Sequence, residues 1–192
     1  MGRPLQIDRQ SVLEAGLLLA DENGLAAVTM QSVAEMLGVT PMALYHHVAN
    51  KADLLDGLVE LLLTDVPLPP ATMEWRERLA WMGRALRGTA QRHPAVFLLL
   101  LQRPATTAGA LHVRDAVWAA LREGGVAEPA VARTERVIST AILGFVASEA
   151  GGRFGSRSKR EVNADFVAFE SMIERYLDEV SGTGTLRTGS TV

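Results

Sequence analysis

The chain contains no cysteine, so neither a disulfide nor a thiolate metal site can form. Its four histidines, at positions 46, 47, 93 and 112, do not have the spacing of metal ligands. The sequence also lacks a glycine-rich loop that follows a strand and a serine in a nucleophile elbow, which are signatures of phosphate binding and acyl transfer. We therefore expect no metal, no cofactor and no enzymatic activity.

Long apolar runs are missing as well. The run at residues 96–101 is far shorter than the roughly 20 residues that cross a bilayer. Residues 1–8 are too short and too mixed in character for a secretory signal. With 48% hydrophobic residues in 192, the chain has ample apolar content for a packed core. These features predict a soluble, cytoplasmic protein that makes no membrane contact.

No segment alternates as a strand does, and the periodicity of apolar residues predicts an all-α fold. The predicted helices cover residues 8–22, 30–37, 52–64, 73–92, 93–102, 107–123, 128–151 and 165–180, with a short one that starts at 41. A proline-rich strip at 65–72 interrupts the helical pattern. We place the domain boundary there, which predicts an N-terminal domain over 1–64, a C-terminal domain over 65–180 and a flexible tail over 181–192.

Residues 29–51 contain two short helices around a tight turn. Thr29 is suited to cap a helix that begins at Met30, and Gly38 is suited to end it in the left-handed conformation. Thr40 then provides a second N-cap, and Pro41 occupies the first helical position, where its missing N–H costs nothing. A helix that starts at so defined a place, with small or flexible residues first, can enter a DNA major groove by its N-terminus.

The segment Leu-Tyr-His-His-Val-Ala-Asn-Lys at 44–51 resembles the end of the reading motif in tetracycline-repressor-like (TetR) transcriptional regulators. The resemblance is tight over about the first third of the chain. It implies an N-terminal three-helix helix-turn-helix domain and a C-terminal helical domain for ligand binding and dimerisation. It also implies phosphate contacts from Thr29, Thr40, Tyr45, His47 and Lys51, and base contacts from Gln31, Pro41, Met42 and Ala43.

Gln31 departs from related repressors, which often carry arginine at this position. A glutamine amide pairs with adenine and an arginine with guanine, so we expect a preference for adenine there. The region is also acidic for a DNA-binding domain, because residues 1–51 carry three cations (Arg3, Arg9, Lys51) against five carboxylates. Arg3 and Arg9 are placed to help, since an N-terminal arm at residues 2–4 could reach a phosphate or a narrow minor groove; a frayed terminus is the alternative. We expect modest non-specific affinity and a shallow salt dependence.

Two C-terminal helices have the pattern of an interface. The helix at 128–151 is apolar around more than one face, and small residues such as Ala141 and Gly144 permit close helix approach. With the helix at 165–180 it resembles the four-helix dimer core of the family; burial of both helices within one subunit is the alternative. A homodimer would present two recognition helices about 34–36 Å apart to an inverted-repeat, double-stranded DNA operator.

The resemblance further implies a cavity for a small-molecule effector among the middle helices. The residues expected to line it are Trp81, Met82, Leu86, Leu100, Gln102, Arg103, Trp118, Phe145 and Glu149. Aromatic and methionine side chains at helical spacing are more often core residues than ligand contacts. The segments that match the drug–magnesium site of tetracycline repressors are apolar here, so we expect a mostly apolar effector.

The functional prediction is a ligand-responsive, DNA-binding regulator, with repression as the family default. The alternative is a helical ligand- or protein-binding module without operator recognition, which the acidic N-terminal region favours. The basic segment at 152–163 is predicted to be a solvated loop and is not assigned to DNA. The tail at 181–192 consists mainly of glycine, threonine and serine, a composition that buries little apolar surface.

Overall fold

A computed structural model describes residues 7–103 and 108–182, and these residues form helices and connecting turns without a strand. The all-α prediction is therefore confirmed. The four N-terminal helices are α1 (Arg9–Asn23), α2 (Met30–Leu37), α3 (Pro41–Leu44) and α4 (Lys51–Thr64). A short 3₁₀ turn, Leu25–Ala27, joins α1 to α2.

Five further helices follow the proline-rich strip. They are α5 (Trp75–Arg92), α6 (Pro94–Phe97), α7 (Ala108–Glu123), α8 (Glu128–Ala150) and α9 (Lys159–Val180). The predicted helix at 93–102 is α-helical only over α6 and continues as a 3₁₀ helix, Leu98–Gln102. The predicted tail lies outside the described residues except for Ser181 and Gly182.

Helix α9 begins six residues earlier than predicted. Ser158 accepts a hydrogen bond from the Glu161 backbone N–H, and the Glu161 carboxylate accepts one from the Ser158 backbone N–H. This reciprocal capping box fixes the start of the helix, and the apolar pattern used for the prediction does not reveal it. The predicted loop at 152–163 is therefore shorter, and Lys159 and Arg160 belong to the first turn of α9.

Apolar packing continues from the N-terminal helices into the C-terminal half. One buried cluster joins Leu54 and Leu58 of α4 to Phe97 of α6 and to Val146 of α8. A second buried cluster lies within the C-terminal half and includes Leu121 of α7 and Leu177 of α9. The strip at 65–72 is thus a chain connection between helices that share a core, and the domain division stays a prediction.

In the first cluster, the close approach of α1 and α4 depends on a glycine. A Cβ added at Gly57 of α4 would lie 2.4 Å from Leu13 Cδ2 of α1. That separation is well inside van der Waals contact, so a side chain there would force the buried Leu13 side chain or the helices themselves to shift. Since α4 follows the helix-turn-helix segment directly, this contact positions the segment on the rest of the molecule.

Candidate nucleic-acid interface and effector cavity

The backbone of the helix-turn-helix segment follows the predicted caps. Thr29 Oγ1 accepts a hydrogen bond from the Ser32 backbone N–H at 3.0 Å, which satisfies one of the free donors at the start of α2. Gly38 ends α2 with φ at 67°, in the left-handed region that favours glycine. Pro41 is at the start of α3, and Thr40 has extended N-cap geometry but makes no capping bond through its side chain.

Helix α3 is shorter than a typical recognition helix, since its α-helical part ends at Leu44. Residues 45–47 continue as a turn, with the His47 N–H donating to the Leu44 carbonyl at 2.8 Å. Leu44 and Val48 are both buried. These two apolar side chains hold α3 and its following turn against the core, although only Leu44 is in the helix.

All nine residues predicted to contact DNA lie at the surface of α2, α3 and the start of α4. Met42 is 71% exposed and Tyr45 49% exposed. Gln31, Thr40 and Lys51 are also exposed. The four that are partly buried are Thr29, Pro41, Ala43 and His47. The structure thus brings the predicted residues onto neighbouring elements, and their contacts with DNA stay a prediction.

Gln31 already has a partner within the protein. Its side-chain Nε2 donates to Glu35 Oε1 at 2.6 Å, one turn further along α2. A contact between this amide and a base edge requires the hydrogen bond to Glu35 to rearrange. The carboxylate of Glu35 also adds negative charge beside the surface expected to meet phosphates.

Arg9 forms a clamp between α1 and α4 that the sequence interpretation missed. Its Nη2 lies 2.7 Å from Asp53 Oδ1, and its Nη1 donates to the His47 carbonyl at 2.7 Å. Asp53 Oδ2 accepts in turn from the Ala49 N–H at 2.7 Å. The guanidinium expected to help on DNA is therefore engaged in holding the turn after α3, and Arg3 lies outside the described residues.

The contact between Arg9 and Asp53 shifts the pKa of both side chains. The hydrogen bond from Arg9 and the one from the Ala49 N–H lower the pKa of Asp53 below its usual value. The same pairing raises the pKa of Arg9. Asp53 also belongs to the first turn of α4, which Asn50 caps by accepting from the Asp53 N–H at 3.0 Å. Arg9 thus fixes the start of the helix that carries Lys51.

The C-terminal half encloses an apolar cavity of about 220 Å³. Helices α5, α7, α8 and α9 provide most of its wall. Leu63 of α4 and Leu100 of the 3₁₀ segment complete it. Three of the predicted ligand contacts, Met82, Leu86 and Leu100, lie on this wall. Most of the wall was not predicted, including Gly83, Val113, Val117, Ile138, Ile142, Phe166, Phe169 and Ile173.

Six predicted ligand contacts do not line the cavity, and other packing or pairing engages four of them: Arg103, Trp118, Phe145 and Glu149. Trp81 lies instead in a polar cleft that adjoins the cavity. The Trp118 ring packs between the guanidinium groups of Arg114 and Arg122, with centroid distances of 4.9 and 5.4 Å. Phe145 packs against three other phenylalanines, at residues 154, 166 and 169. The other three are Gln102, Arg103 and Glu149.

Glu149 is half of an ion pair between α8 and α5. Its carboxylate accepts from Arg87 Nε at 2.6 Å and Arg87 Nη2 at 2.8 Å, and from Gln91 at 2.9 Å. Burial by itself would raise the pKa of Glu149, but the hydrogen bonds from Arg87 and Gln91 outweigh it and lower that pKa. Glu149 therefore serves helix packing rather than the cavity.

Arg103 links the 3₁₀ segment Leu98–Gln102 to α4. Its Nη1 pairs with the Asp56 carboxylate and lies 3.4 Å from the Ala52 carbonyl. Glu60, one turn after Asp56, accepts from the Gly109 N–H at the start of α7 at 2.7 Å. A third contact joins α1 to the end of α5: Asp21 Oδ2 lies 2.7 Å from His93 Nδ1. The cavity-forming half thus holds the N-terminal helices by specific polar contacts.

Among residues 7–103 and 108–182, no three histidine or carboxylate side chains come together as metal ligands. None of their helices is long and apolar enough to span a membrane.

Comparison with protein families gives two matches that together cover most of the chain. Residues 12–58 match the family described as bacterial regulatory proteins, tetR family. Residues 67–180 match the tetracyclin repressor-like C-terminal domain. The chain belongs to the TetR family. The resemblance seen in residues 44–51 is thereby confirmed, and the match extends it to the C-terminal half.

Individual relatives of this TetR-family chain are distant. It is 30% identical over 180 residues to the HTH-type transcriptional repressor DrrR1 of Streptomyces coeruleorubidus. That match covers 90% of this chain and 64% of DrrR1, so the chain spans less than two thirds of the length of this curated relative.

Two solved structures have the same fold. Apo ActR from Streptomyces coelicolor superimposes with a TM-score of 0.81 at 20% sequence identity. The match covers 96% of this chain and 100% of ActR. BioQ with its natural double-stranded DNA operator superimposes with a TM-score of 0.75 at 26% identity, covering 90% of this chain and 98% of that one. The likeness to ActR concerns the fold alone.

Proposed function

We propose that this TetR-family chain is a ligand-responsive transcriptional regulator that binds a palindromic DNA operator as a homodimer. We further propose that it represses, acts in the cytoplasm and has no enzymatic role. The observation that carries the proposal is the geometry of residues 29–51. Two short helices meet at a left-handed glycine, and the second presents exposed Met42 and Tyr45 beside Lys51. BioQ, which shares this fold, binds its operator DNA.

Few formal cations support the contact, so DNA binding would depend on hydroxyls, backbone amides and helix N-termini. Residues 7–51 contain two cations, Arg9 and Lys51. Arg9 is paired with Asp53, whereas Lys51 has no partner among the described residues. We therefore expect the logarithm of the binding constant to fall shallowly with the logarithm of salt concentration. A steep slope, of the kind that about eight phosphate contacts give, would contradict this part of the proposal.

Helices α8 and α9 supply the surface for dimerisation in this proposal. Val137 of α8 and Val167 and Met172 of α9 are large apolar side chains that remain 44–59% exposed in one subunit. A second copy of the same helices would cover them in a four-helix arrangement. Sedimentation equilibrium checks this: we expect a dimer for the native chain and a weaker one for Val167→Glu.

Release from DNA would begin in the cavity. Leu100 lines the cavity, and Arg103, three residues further along, holds Asp56 and the Ala52 carbonyl of α4. A small, largely apolar effector that moves Leu100 would therefore act on the helix that carries Lys51. The effector must bind the released state more tightly than the operator-bound state, and each tenfold difference supplies ~1.4 kcal/mol per site.

The decisive experiment is fluorescence anisotropy of the chain with DNA that flanks its own gene, against a scrambled duplex. We expect Tyr45→Phe and Lys51→Ala each to weaken specific binding by about tenfold, because each removes one phosphate contact of roughly 1.4 kcal/mol. Melting temperatures should stay nearly unchanged, since both side chains are exposed.

The chain offers matched controls for these variants. It has two tyrosines, and Tyr176 and Lys159 both lie on α9, far from the helix-turn-helix segment. Tyr176→Phe and Lys159→Ala should leave DNA binding unchanged. If neither the flanking DNA nor sequences selected from random duplexes bind better than the scrambled duplex, the chain is instead a helical ligand- or protein-binding module.

A further inference from the structure

Ion pairs join α5 and α9 at regular spacing beside the opening of the cavity. Arg76 Nη2 lies 2.7 Å from Asp178 Oδ1, and Arg84 Nε lies 2.7 Å from Glu170 Oε1. In each helix the two charged residues are two turns apart and therefore share one face. The pairings run in opposite order along the two helices, so α5 and α9 are antiparallel here.

The position midway between these two ion pairs lacks its cation. On α9 the midway residue is Glu174, which continues the row of carboxylates, but on α5 it is Ala80. Both residues line the cavity and also the polar cleft that adjoins it. Glu174 has no ion-pair or hydrogen-bond partner among the described residues. The row of paired charges therefore contains one unpaired carboxylate, which is exposed and lines the same cavity and cleft as Ala80.

The other charged side chains of the cavity do not balance this carboxylate. Glu135 of α8 is half-buried, accepts from Ser139 Oγ at 2.7 Å and has no cationic partner in the described part of the chain. Two cations lie on the wall. Arg76 is paired with Asp178, and Arg114 lies 3.4 Å from Asp115 with its guanidinium over the Trp118 ring. Carboxylates thus exceed cations around an otherwise apolar cavity.

We propose that the effector is a largely apolar molecule with one positively charged group, which binds Glu174 in the space beside Ala80. The apolar part occupies the cavity, and the charged group completes the row of ion pairs as an arginine at position 80 would. Glu174 is itself exposed, so water screens the pair; the apolar contacts supply most of the affinity and the carboxylate supplies the charge preference. This inference rests on the proposed function, since it names the kind of effector.

Three probes of the same shape test the charge preference: 2-naphthylmethylamine, which is cationic at neutral pH, neutral 2-naphthylmethanol and anionic 2-naphthoate. Each displaces the neutral fluorophore N-phenyl-1-naphthylamine from the full chain in the absence of DNA. We expect the amine to bind about threefold to fivefold more tightly than the alcohol, because it gains an ion pair with an exposed carboxylate. The carboxylate should bind most weakly.

Two substitutions assign the preference to this position. Glu174→Gln should bring the amine and the alcohol to about equal affinity, because it removes the charge and keeps the shape. Ala80→Arg should weaken the amine until it binds no better than the alcohol, since the new guanidinium takes its place beside Glu174. The matched controls are Glu179→Gln on the same helix and Ala119→Arg on α7, both exposed and outside the cavity wall. They should leave all three affinities unchanged.

The outcomes separate this inference from the proposed function. Equal affinities for the three probes, a preference that survives Glu174→Gln, or no binding of any probe would overturn the inference. Tightest binding of 2-naphthoate would also overturn it and would favour Arg114 as the binding group. None of these results affects operator binding, which is measured with DNA and without probes. Loss of operator binding alone would overturn the proposed function and leave the charge preference intact.

Discussion

The N-terminal helices and the C-terminal half use polar side chains over very different distances in sequence. In the N-terminal helices, the Thr29 side chain accepts a hydrogen bond from the Ser32 N–H and the Asn50 side chain accepts one from the Asp53 N–H. Each bond lies within one helical turn. In the C-terminal half, Arg84 reaches Glu170, 86 positions away, and Arg87 reaches Glu149, 62 positions away. Local bonds fix the backbone of a motif, whereas distant bonds fix how helices surround a cavity.

This contrast explains why the two regions differ in how much their sequence reveals. A capping residue and its helix are neighbours in the chain, so the motif at 29–51 can be recognised without tertiary contacts. A cavity wall is assembled from several helices, and no short segment contains it. The Arg9 clamp is the exception in the N-terminal region, since it spans 44 positions, and it is the contact there that the sequence interpretation missed.

The largest stability effect should come from breaking the distant pair at Arg87. Arg87→Met leaves the Glu149 carboxylate, which is 19% exposed, without its cation, and we expect a loss of about 2 kcal/mol in the free energy of unfolding. Urea denaturation at fixed protein concentration measures this loss. Arg84→Met is the control, because Arg84 is 62% exposed and its pair should contribute less than about 1 kcal/mol. Equal losses would mean that burial does not distinguish these pairs.

The next effect tests a close contact between α7 and α5. A Cβ at Gly124 would lie 2.6 Å from two atoms of the Trp75 indole, a rigid ring that cannot bend away. Gly124→Ala should therefore cost about 1–2 kcal/mol in thermal or urea unfolding. For comparison, Gly88→Ala on α5 meets its nearest atom at 3.6 Å and should stabilise the helix by roughly 0.5–1 kcal/mol. A stabilising Gly124→Ala would refute the contact.

A smaller effect is expected from the Arg9 clamp in the N-terminal region. Arg9→Met should cost at most about 1 kcal/mol at neutral pH, because both partners are partly exposed and water screens the pair. Arg133→Met, which changes an exposed arginine of α8, is the control.

The cost of Arg9→Met should depend on pH. The pairing holds the pKa of Asp53 below its ordinary 3.8, so the clamp stabilises the fold fully above that value. The stabilisation is lost as the pH falls through the lowered pKa, where the folded carboxyl also takes up a proton. Urea titrations across this range should therefore show the native chain and Arg9→Met converging at low pH. A constant difference would show that the clamp acts through packing alone.

The smallest stability effect is expected for Gln31→Ala. The hydrogen bond to Glu35 lies on an exposed helix surface and should contribute about 0.5 kcal/mol or less. Its effect on DNA should be larger, because we expect Gln31 to prefer adenine. Selection from random duplexes should return adenine at the contacted position with the native chain and lose it with Gln31→Ala. Guanine with both proteins would refute the base assignment.

Most helices could be predicted because their signals are local. The periodicity of apolar residues marks α4, α5 and α7 within a few residues of their observed ends, and Gly38 marks the end of α2. The start of α9 was placed late because its first turn is polar and only the capping box of Ser158 and Glu161 identifies it. The carboxylates of α9 also have a sequence signal, since Glu170, Glu174 and Asp178 recur at every fourth residue, but their pairing with α5 needs both helices in place.

The all-helical fold, the TetR-family helix-turn-helix segment and the absence of thiols can all be recognised in the amino-acid sequence, because each depends on neighbouring residues or on composition. Tertiary packing sets which side chains surround the cavity, that Arg9 holds Asp53, and that Glu174 and Ala80 line one cavity without a cation between the flanking ion pairs. The physical reason is that these features depend on how helices distant in the chain are oriented and packed. Orientation follows from the burial of many side chains at once, and no single segment contains that information.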